Sequence, residues 1–169
     1  MDHINVVSLF DGMGGGAIAL QDLGIPFNYY SSEVDKHAMA QSLLNFPQTQ
    51  LGDVRDVDVS LLPPIDLICA GSPCTNFSMA GKRKGMSTEC EIEVLSLEHY
   101  LELKREGFEF EGQSYLFWEF VRILTELRKV NPNILFLLEN VEMGKKWERV
   151  LSEAIGVYGV HINSALVSA

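Results

Sequence analysis

The sequence predicts an α/β fold with a doubly wound, mainly parallel β-sheet. Short apolar runs alternate along the chain with longer segments of helical periodicity, which is typical of strands joined by right-handed helical crossovers. Several of the apolar runs stop abruptly at a glycine, a proline or an acidic residue, as strands do where they enter a turn. A length of 169 residues fits one domain with a core of its own.

The strands are predicted from apolar runs bounded by turn residues. Asp66-Leu67-Ile68-Cys69-Ala70 is a short buried strand that Gly71-Ser72-Pro73 ends, and a second buried run ends at Glu139-Asn140-Val141. The predicted strands cover residues 4–9, 27–32, about 50–51, 65–70, 134–138 and 160–167.

Helices are predicted between the strands, over residues 17–23, 35–45 and 114–129. Gly24 is expected to end the first helix, and the second ends before Pro47 because proline cannot continue a helix. An acidic insertion at about residues 85–113 follows the fourth strand, and its apolar positions predict an amphipathic helix with glutamates outward. We expect a solvated lid or extension there.

The composition predicts an intracellular, cytoplasmic protein. No apolar run approaches the ~20 residues that span a bilayer, and the amino terminus has no secretory pattern. Three cysteines without framework spacing are typical of a reducing compartment, and no His/Cys cluster has the spacing of a metal site. The net charge of −10 argues against a simple nucleic-acid binder, although Lys82-Arg83-Lys84 forms a compact basic cluster.

Acidic residues after the second and third strands, together with a glycine turn after the first, indicate an adenosine pocket. Gly12 and Gly14 lie in the first strand-to-helix turn, where glycine lets the backbone approach a ligand; close helix packing is the simpler explanation of such a turn. Glu33 ends the second strand, where a carboxylate can bind ribose hydroxyls. Asp53 follows the third strand and can accept from an exocyclic amine. The turn lacks the lysine of a P-loop.

A thiol and a carboxylate are predicted at the same edge of the sheet. Cys74 follows the fourth strand and Glu139 ends the fifth, so both lie where open α/β sheets carry their chemistry. The basic cluster after Cys74 would favour the nucleophilic thiolate. A buried structural cysteine and a solvated loop acid are the simpler alternatives; the five apolar residues before Glu139 favour its partial burial.

Five ordered motifs follow the predicted strands. They are Phe10-Asp11-Gly12-Met13-Gly14-Gly15, Glu33-Val34-Asp35, Gly52-Asp53-Val54, Gly71-Ser72-Pro73-Cys74 and Glu139-Asn140-Val141. In order and spacing they resemble the motifs of the cytosine-5 DNA methyltransferases. Their residues are most similar to the branch that contains the animal de novo enzymes and some phage or bacterial relatives, which favours a bacterial or phage-encoded protein.

The resemblance implies a Rossmann-like sheet of the S-adenosylmethionine-dependent type, with S-adenosylmethionine as cofactor and S-adenosylhomocysteine as product. Glu33 would bind the ribose, Asp53 the adenine amine, and Phe10 would lie near the adenine. The implied cofactor-binding residues are Phe10, Gly12, Gly14, Glu33, Val34, Asp53, Val54, Pro73 and Leu116. No metal is implied.

The resemblance also implies the chemistry. A cytosine would be flipped out of double-stranded DNA, Cys74 would attack its carbon 6, and Glu139 would hold and protonate nitrogen 3. Residues 1–169 would form the cofactor-binding and catalytic domain, in a restriction-modification or related setting.

Two departures from the family pattern matter. The chain stops where the family continues into its last strand and target-recognition region, so we expect an incomplete domain, inactive or weak alone, that a complementing C-terminal chain or segment would complete. The insertion at about residues 85–113 is longer than the family's loop, and closure over DNA or docking of a partner is the alternative to a solvated lid or extension. A tRNA cytosine-5 methyltransferase and a non-catalytic subunit with a methyltransferase fold remain alternatives.

Overall fold

The computed structural model describes residues 3–73, 86–141 and 143–156. In these residues five parallel strands form one sheet in the order β3-β2-β1-β4-β5. The strands are β1 (Ile4–Leu9), β2 (Phe27–Ser32), β3 (Thr49–Gln50), β4 (Leu67–Gly71) and β5 (Leu135–Glu139). The helices are α1 (Gly15–Asp22), α2 (Lys36–Asn45), α3 (Leu97–Arg105), α4 (Phe117–Val130) and α5 (Lys145–Ile155).

The predicted parallel α/β sheet is confirmed. β1 and β2 have the bounds expected from the sequence, and the other three strands begin or end within two residues of them. The predicted strand at residues 160–167 lies outside the described residues. Helix α5 was not expected, although its apolar residues recur at helical spacing and pack in the larger core cluster described below.

Alternate side chains of β1 divide the core into two apolar clusters, one on each face of the sheet. Val6 packs with Ala17 and Leu20 of α1 on one face. Val7 and Leu9 pack on the other face, in the cluster that contains α4. Because successive side chains of a strand point to opposite faces, helices on both sides are needed to bury them, and the sheet is doubly wound.

Helix α4 supplies much of the larger cluster. Five of its apolar residues form core, since each is at most 2% exposed. These residues are Phe117, Trp118, Phe120, Val121 and Leu124. Buried aromatic side chains contribute the largest apolar areas, so α4 anchors this side of the sheet.

A carboxylate fixes the start of α2, and a glycine marks the end of α1. The Asp35 carboxylate accepts hydrogen bonds from the amides of Ala38 and His37 at the start of α2, and these bonds lower its pKa. Gly24, at a φ of 66°, follows α1 and its amide donates to the Gln21 carbonyl, as predicted for the stop of that helix. The turn after β2 therefore leads directly into α2.

The acidic insertion packs into the core, so the expectation of a solvated lid is wrong for its described residues 86–113. Met86, Val94 and Tyr100 are at most 1% exposed, and Leu103 is also buried. Helix α3 begins at Leu97, after Ser96 caps it by accepting from the His99 amide. The burial follows from the one apolar face of α3, which packs against α4 while the glutamates stay outside.

One face of β5 is uncovered among the described residues. Leu135 is 68% exposed and Leu137 is 60% exposed, although both belong to a strongly apolar run. β5 is also an edge strand of the sheet formed by residues 3–73, 86–141 and 143–156. A search of that same part of the chain finds no helix with the length and apolarity needed to cross a bilayer.

Candidate active site

A cleft of about 480 Å³ opens beyond the carboxyl ends of the strands. Phe10 follows β1, Glu33 follows β2, Asp53 follows β3 and Pro73 follows β4, and all four side chains line it. From β1 the sheet continues through β2 to β3 on one side, and from β4 it continues to β5 on the other. The strand order therefore reverses between β1 and β4, and the cleft lies at this point. This is the usual ligand position in open α/β sheets, and the volume falls within the roughly 300–1,000 Å³ of small-molecule sites.

The cleft collects most of the residues that the sequence predicted for a cofactor. Seven of the nine line it, namely Phe10, Glu33, Val34, Asp53, Val54, Pro73 and Leu116. Gly12 and Gly14 lie in the turn before α1 and do not line it. The lining residues that sequence reasoning missed are Ser32, Arg55, Gly112, Gln113 and Tyr115.

The glycine turn has a packing role. Gly14 has a φ of 88°, and a Cβ at this position would stand 2.7 Å from the Ser42 hydroxyl of α2. A Cβ on Gly16 would stand 2.7 Å from the Tyr29 hydroxyl, which donates to Asp11. Both glycines therefore permit close approach of α1 to its neighbours, which is the simpler of the two explanations that the sequence allowed.

Glu33 ties the first two strand ends together. Its Oε2 accepts from the Gly12 amide at 2.8 Å, and its Oε1 accepts from the amides of Val34 at 2.7 Å and Asp35 at 2.8 Å. A carboxylate offers about four acceptor positions, so Oε2 retains one for a ligand hydroxyl. The same side chain thus shapes the glycine turn and presents an acceptor to the cleft.

Phe10 adopts a backbone conformation that bulky residues avoid. Its φ is 57°, in the left-handed region, and it lines the cleft directly after β1. Such a conformation costs about 1–3 kcal/mol for a residue other than glycine and recurs at ligand-binding sites. The rest of the fold therefore holds Phe10 in place at the cleft.

Asp53 lies beside Glu33 because two hydrogen bonds fix the turn that carries it. The Leu51 amide donates to the Ser31 carbonyl at 2.7 Å, and the Ser32 hydroxyl donates to the Gly52 carbonyl at 2.8 Å. The Arg55 guanidinium donates to both oxygens of Asp53 and lowers the pKa of this carboxyl below its usual range. Asp53 is therefore an ionised acceptor at the cleft.

Glu139 stands beside the segment that leads to Cys74. Gly71 of β4 pairs with Glu139 of β5, and a Cβ on Gly71 would lie 3.4 Å from Oε2 of Glu139. The Asn140 side-chain amide donates to the Ser72 hydroxyl at 3.1 Å. Cys74 itself lies outside the described residues, as does the basic cluster at residues 82–84. Glu139 is exposed rather than partly buried, because it shares the uncovered face of β5 with Leu135 and Leu137.

A buried ionic network joins the insertion to the cleft wall. The Glu119 carboxylate of α4 is fully buried and accepts from Tyr100 and Arg122 at 2.6 Å each and from Lys104 at 2.5 Å. Arg122 also donates to the carbonyls of Val54 and Val57 at 3.2 Å. Val54 lines the cleft, so α3 supports one cleft wall through this network.

The other depression on the described surface offers fewer groups that could bind a cofactor or take part in a reaction. A depression of about 540 Å³ is lined by Glu98, Leu101, Lys104 and Arg105, all on one face of α3 and open to solvent. Although it is the larger of the two, it collects no residues from the strand ends. In the part of the chain that the structure describes, no group of three His, Cys, Asp or Glu side chains is arranged to hold a metal ion.

Comparison with known proteins identifies the family. The family described as C-5 cytosine-specific DNA methylase matches residues 4–98. The type II methyltransferase M.HhaI of Haemophilus parahaemolyticus is 32% identical over 139 residues, which are 82% of this chain and 34% of that protein. M.HaeII of Haemophilus aegyptius is 33% identical over 62% of this chain and 33% of its own length. The orphan methyltransferase M.Rho11sI of Bacillus phage rho11s is 40% identical over 50% of this chain and 18% of its own.

The parallel sheet defines a Rossmann-like α/β domain with a cleft at the switch point of the strand order. The matched residues include the turn after β1, both acidic strand ends and the end of β4. The chain belongs to the C-5 cytosine-specific DNA methylase family. It spans about a third of the length of M.HhaI and M.HaeII.

Proposed function

We propose that this chain is the cofactor-binding and catalytic part of a DNA cytosine-5 methyltransferase that uses S-adenosylmethionine. One observation carries the proposal: a single cleft, in a chain of this family, is lined by Glu33, Asp53 and Pro73, and Pro73 directly precedes Cys74. The cleft thus joins the candidate adenosine acceptors to the segment that bears the candidate nucleophile.

The described residues fit an adenosyl cofactor. Glu33 retains an acceptor position for a ribose hydroxyl, and Asp53 offers an ionised carboxylate for the adenine amine. Phe10, Val34, Val54 and Leu116 provide apolar walls for a flat aromatic base. Two carboxylates at the cleft also favour a cationic sulfonium ligand over an anionic one. S-adenosylmethionine supplies an electrophilic methyl group for carbon 5 of cytosine.

The chain's own residues supply the covalent and proton-transfer steps. The Cys74 thiolate adds to carbon 6 of a flipped cytosine, forming a sulfur–carbon bond and moving electron density to carbon 5. Glu139 holds nitrogen 3 and protonates it, which balances that shift. After carbon 5 is methylated, with S-adenosylhomocysteine as the leaving product, its proton passes to water while the sulfur–carbon bond breaks and the double bond between carbons 5 and 6 re-forms. Nitrogen 3 returns its proton to Glu139, and the thiolate is regenerated. The pairing of Gly71 with Glu139 supports a carboxylate next to the Cys74 segment.

Double-stranded DNA is the proposed substrate, and we propose that a complementing C-terminal chain or segment supplies target recognition. Relatives of about three times the matched length support this division. The cellular site proposed for the chain is the cytoplasm of a bacterial host, in line with its bacterial and phage relatives.

Covalent trapping tests the proposal in the complete enzyme. A duplex containing 5-fluorocytosine, incubated with S-adenosylmethionine, is expected to give a stable protein–DNA adduct, because fluorine at carbon 5 cannot leave as a proton does. Peptide mass spectrometry is expected to place the adduct on Cys74, and Cys74→Ser is expected to give none. Cys90→Ser is the matched control, since Cys90 is an exposed thiol in the insertion, and this variant is expected to form the adduct normally.

Two results would contradict the proposal. An adduct that survives Cys74→Ser would assign the nucleophile elsewhere. Labelled methyl transfer to tRNA but not to duplex DNA would replace DNA by RNA as the substrate.

A further inference from the structure

Arg55 lies at the cleft and has no part in the chemistry proposed above. Its Nε donates to Oδ1 of Asp53 at 3.0 Å and to Oδ2 at 3.1 Å, and its Nη2 donates to Oδ2 at 2.5 Å. The Arg55 backbone amide donates to Oδ1 at 2.9 Å. A planar guanidinium that binds both oxygens fixes the orientation of a carboxylate as well as its charge.

These bonds leave Asp53 one acceptor position. A carboxylate has about four such positions. Two donors occupy Oδ1, and Nη2 occupies one position of Oδ2 while Nε is shared between the oxygens. The remaining position on Oδ2 accepts one N–H group. An exocyclic amine meets that requirement, whereas a carbonyl oxygen would face a fixed anion and be repelled.

Tyr115 interacts with Arg55 from the side of the insertion, and the Arg55 side chain remains 53% exposed. The Tyr115 ring stacks on Phe110 with centroids 4.7 Å apart and an angle of 23° between the ring planes, and Tyr100 of α3 packs on Phe110 at 5.1 Å. Burial raises the pKa of the Tyr115 phenol, and the nearby Arg55 guanidinium opposes that rise. Asp53, Arg55 and Tyr115 all line the cleft, so Arg55 lies between a carboxylate and a ring that are each held in place.

We infer that Arg55 is a positioning residue that makes this end of the cleft selective for a 6-amino purine over a 6-oxo purine. The inference rests on the proposed adenosyl cofactor and adds the residue that sets its selectivity. Arg55 acts through Asp53 and need not touch the ligand. An alternative role for the same contacts is competition, in which Arg55 occupies the carboxylate that the ligand needs.

Calorimetry with S-adenosylhomocysteine and S-inosylhomocysteine tests the inference on the complete enzyme, which is this chain together with the complementing C-terminal part. Wild-type protein is expected to bind the adenosyl ligand more tightly. Arg55→Met is expected to bind the adenosyl ligand about tenfold more weakly, from the lost orientation of a charged acceptor, and to discriminate less between the two ligands. Arg55→Lys keeps the positive charge but lacks the planar guanidinium, and its affinity for the adenosyl ligand is expected to lie between those of wild-type protein and Arg55→Met. Arg149→Met removes an 80% exposed arginine on α5 and is the matched control.

The pH profile separates positioning from a purely structural role. Arg55 and Lys104 are the cations that lower the pKa of Asp53, and Arg55 acts most strongly. Without Arg55 the Asp53 pKa rises, so protonation of Asp53 begins at a higher pH. The acid limb of adenosyl binding is therefore expected to move to higher pH in Arg55→Met as the pH falls towards about 4, and to move less in Arg55→Lys.

Each outcome decides the inference. Unchanged affinity, selectivity and pH profile in Arg55→Met would overturn the inference. Tighter binding of the adenosyl ligand by Arg55→Met would also overturn it, because it would show that Arg55 competes with the ligand for Asp53. If wild-type protein binds neither ligand, the proposed cofactor itself is wrong and the inference fails with it. If wild-type protein binds but Arg55→Met matches it, only the inference fails.

Discussion

Glu33→Ala is expected to weaken S-adenosylhomocysteine binding by a factor of about 100 or more. The change removes the carboxylate proposed to bind the ribose, and hydrogen bonds to a charged group contribute about 1.5–3 kcal/mol each. It also releases the Gly12 amide and so loosens the turn after β1. Titration calorimetry at neutral pH measures the loss directly.

The controls for Glu33 separate binding from folding. Glu102→Ala removes an exposed glutamate from α3 and is expected to bind as wild type does. Glu33→Gln keeps the side-chain shape but places an amide donor where backbone amides already donate, so it too is expected to bind weakly. Near-wild-type affinity in both Glu33 variants would remove the ribose role from this residue.

Glu119→Ala is expected to lower the free energy of unfolding by about 3–5 kcal/mol, the usual cost of removing one partner from a buried charge pair. Glu119 is fully buried, and its loss leaves the Tyr100 hydroxyl without its acceptor and removes the carboxylate closest to Arg122. A domain of this size has a total stability of about 5–15 kcal/mol, so much of it depends on one side chain. Urea denaturation followed by circular dichroism measures the change.

Glu126→Ala is the matched control on the same helix. Glu126 pairs with Arg122 only at 3.4 Å and is 38% exposed, so its removal is expected to cost less than about 0.5 kcal/mol. Equal losses in the two variants would show that the position on α4, and not the buried network, determines the effect. Glu119→Gln retains the shape and the Tyr100 bond and is expected to lie between them.

Strands and strand-end acids were predictable because they follow from short-range patterns. β1 and β2 are apolar runs closed by turn residues, and parallel strands necessarily bring their carboxyl ends to one edge. Glu33 and Asp53 therefore had to lie near each other once the topology was recognised. Leu116 was assigned from the family resemblance alone, and it lines the same cleft.

The side-chain partnerships were not predictable, since they depend on contacts across the fold. Nothing in the sequence shows that Arg55 binds Asp53 or that Tyr115 interacts with it. Glu119 did carry a signal, because it is one acid within the apolar run Phe117-Trp118-Glu119-Phe120-Val121 and Arg122 follows three residues after it. The exposure of Glu139 was missed because its apolar neighbours suggested a strand covered on both faces.

The contact between Tyr100, Lys104 and Glu119 means that the insertion is not a portable module. A chimera that grafted residues 86–113 onto a relative with an apolar residue at the place of Glu119 would bury the Tyr100 phenol without its acceptor. A chimera that deleted the segment would leave the buried Glu119 carboxylate with Arg122 alone. A chimera that transfers the segment must therefore transfer the residue at position 119 with it.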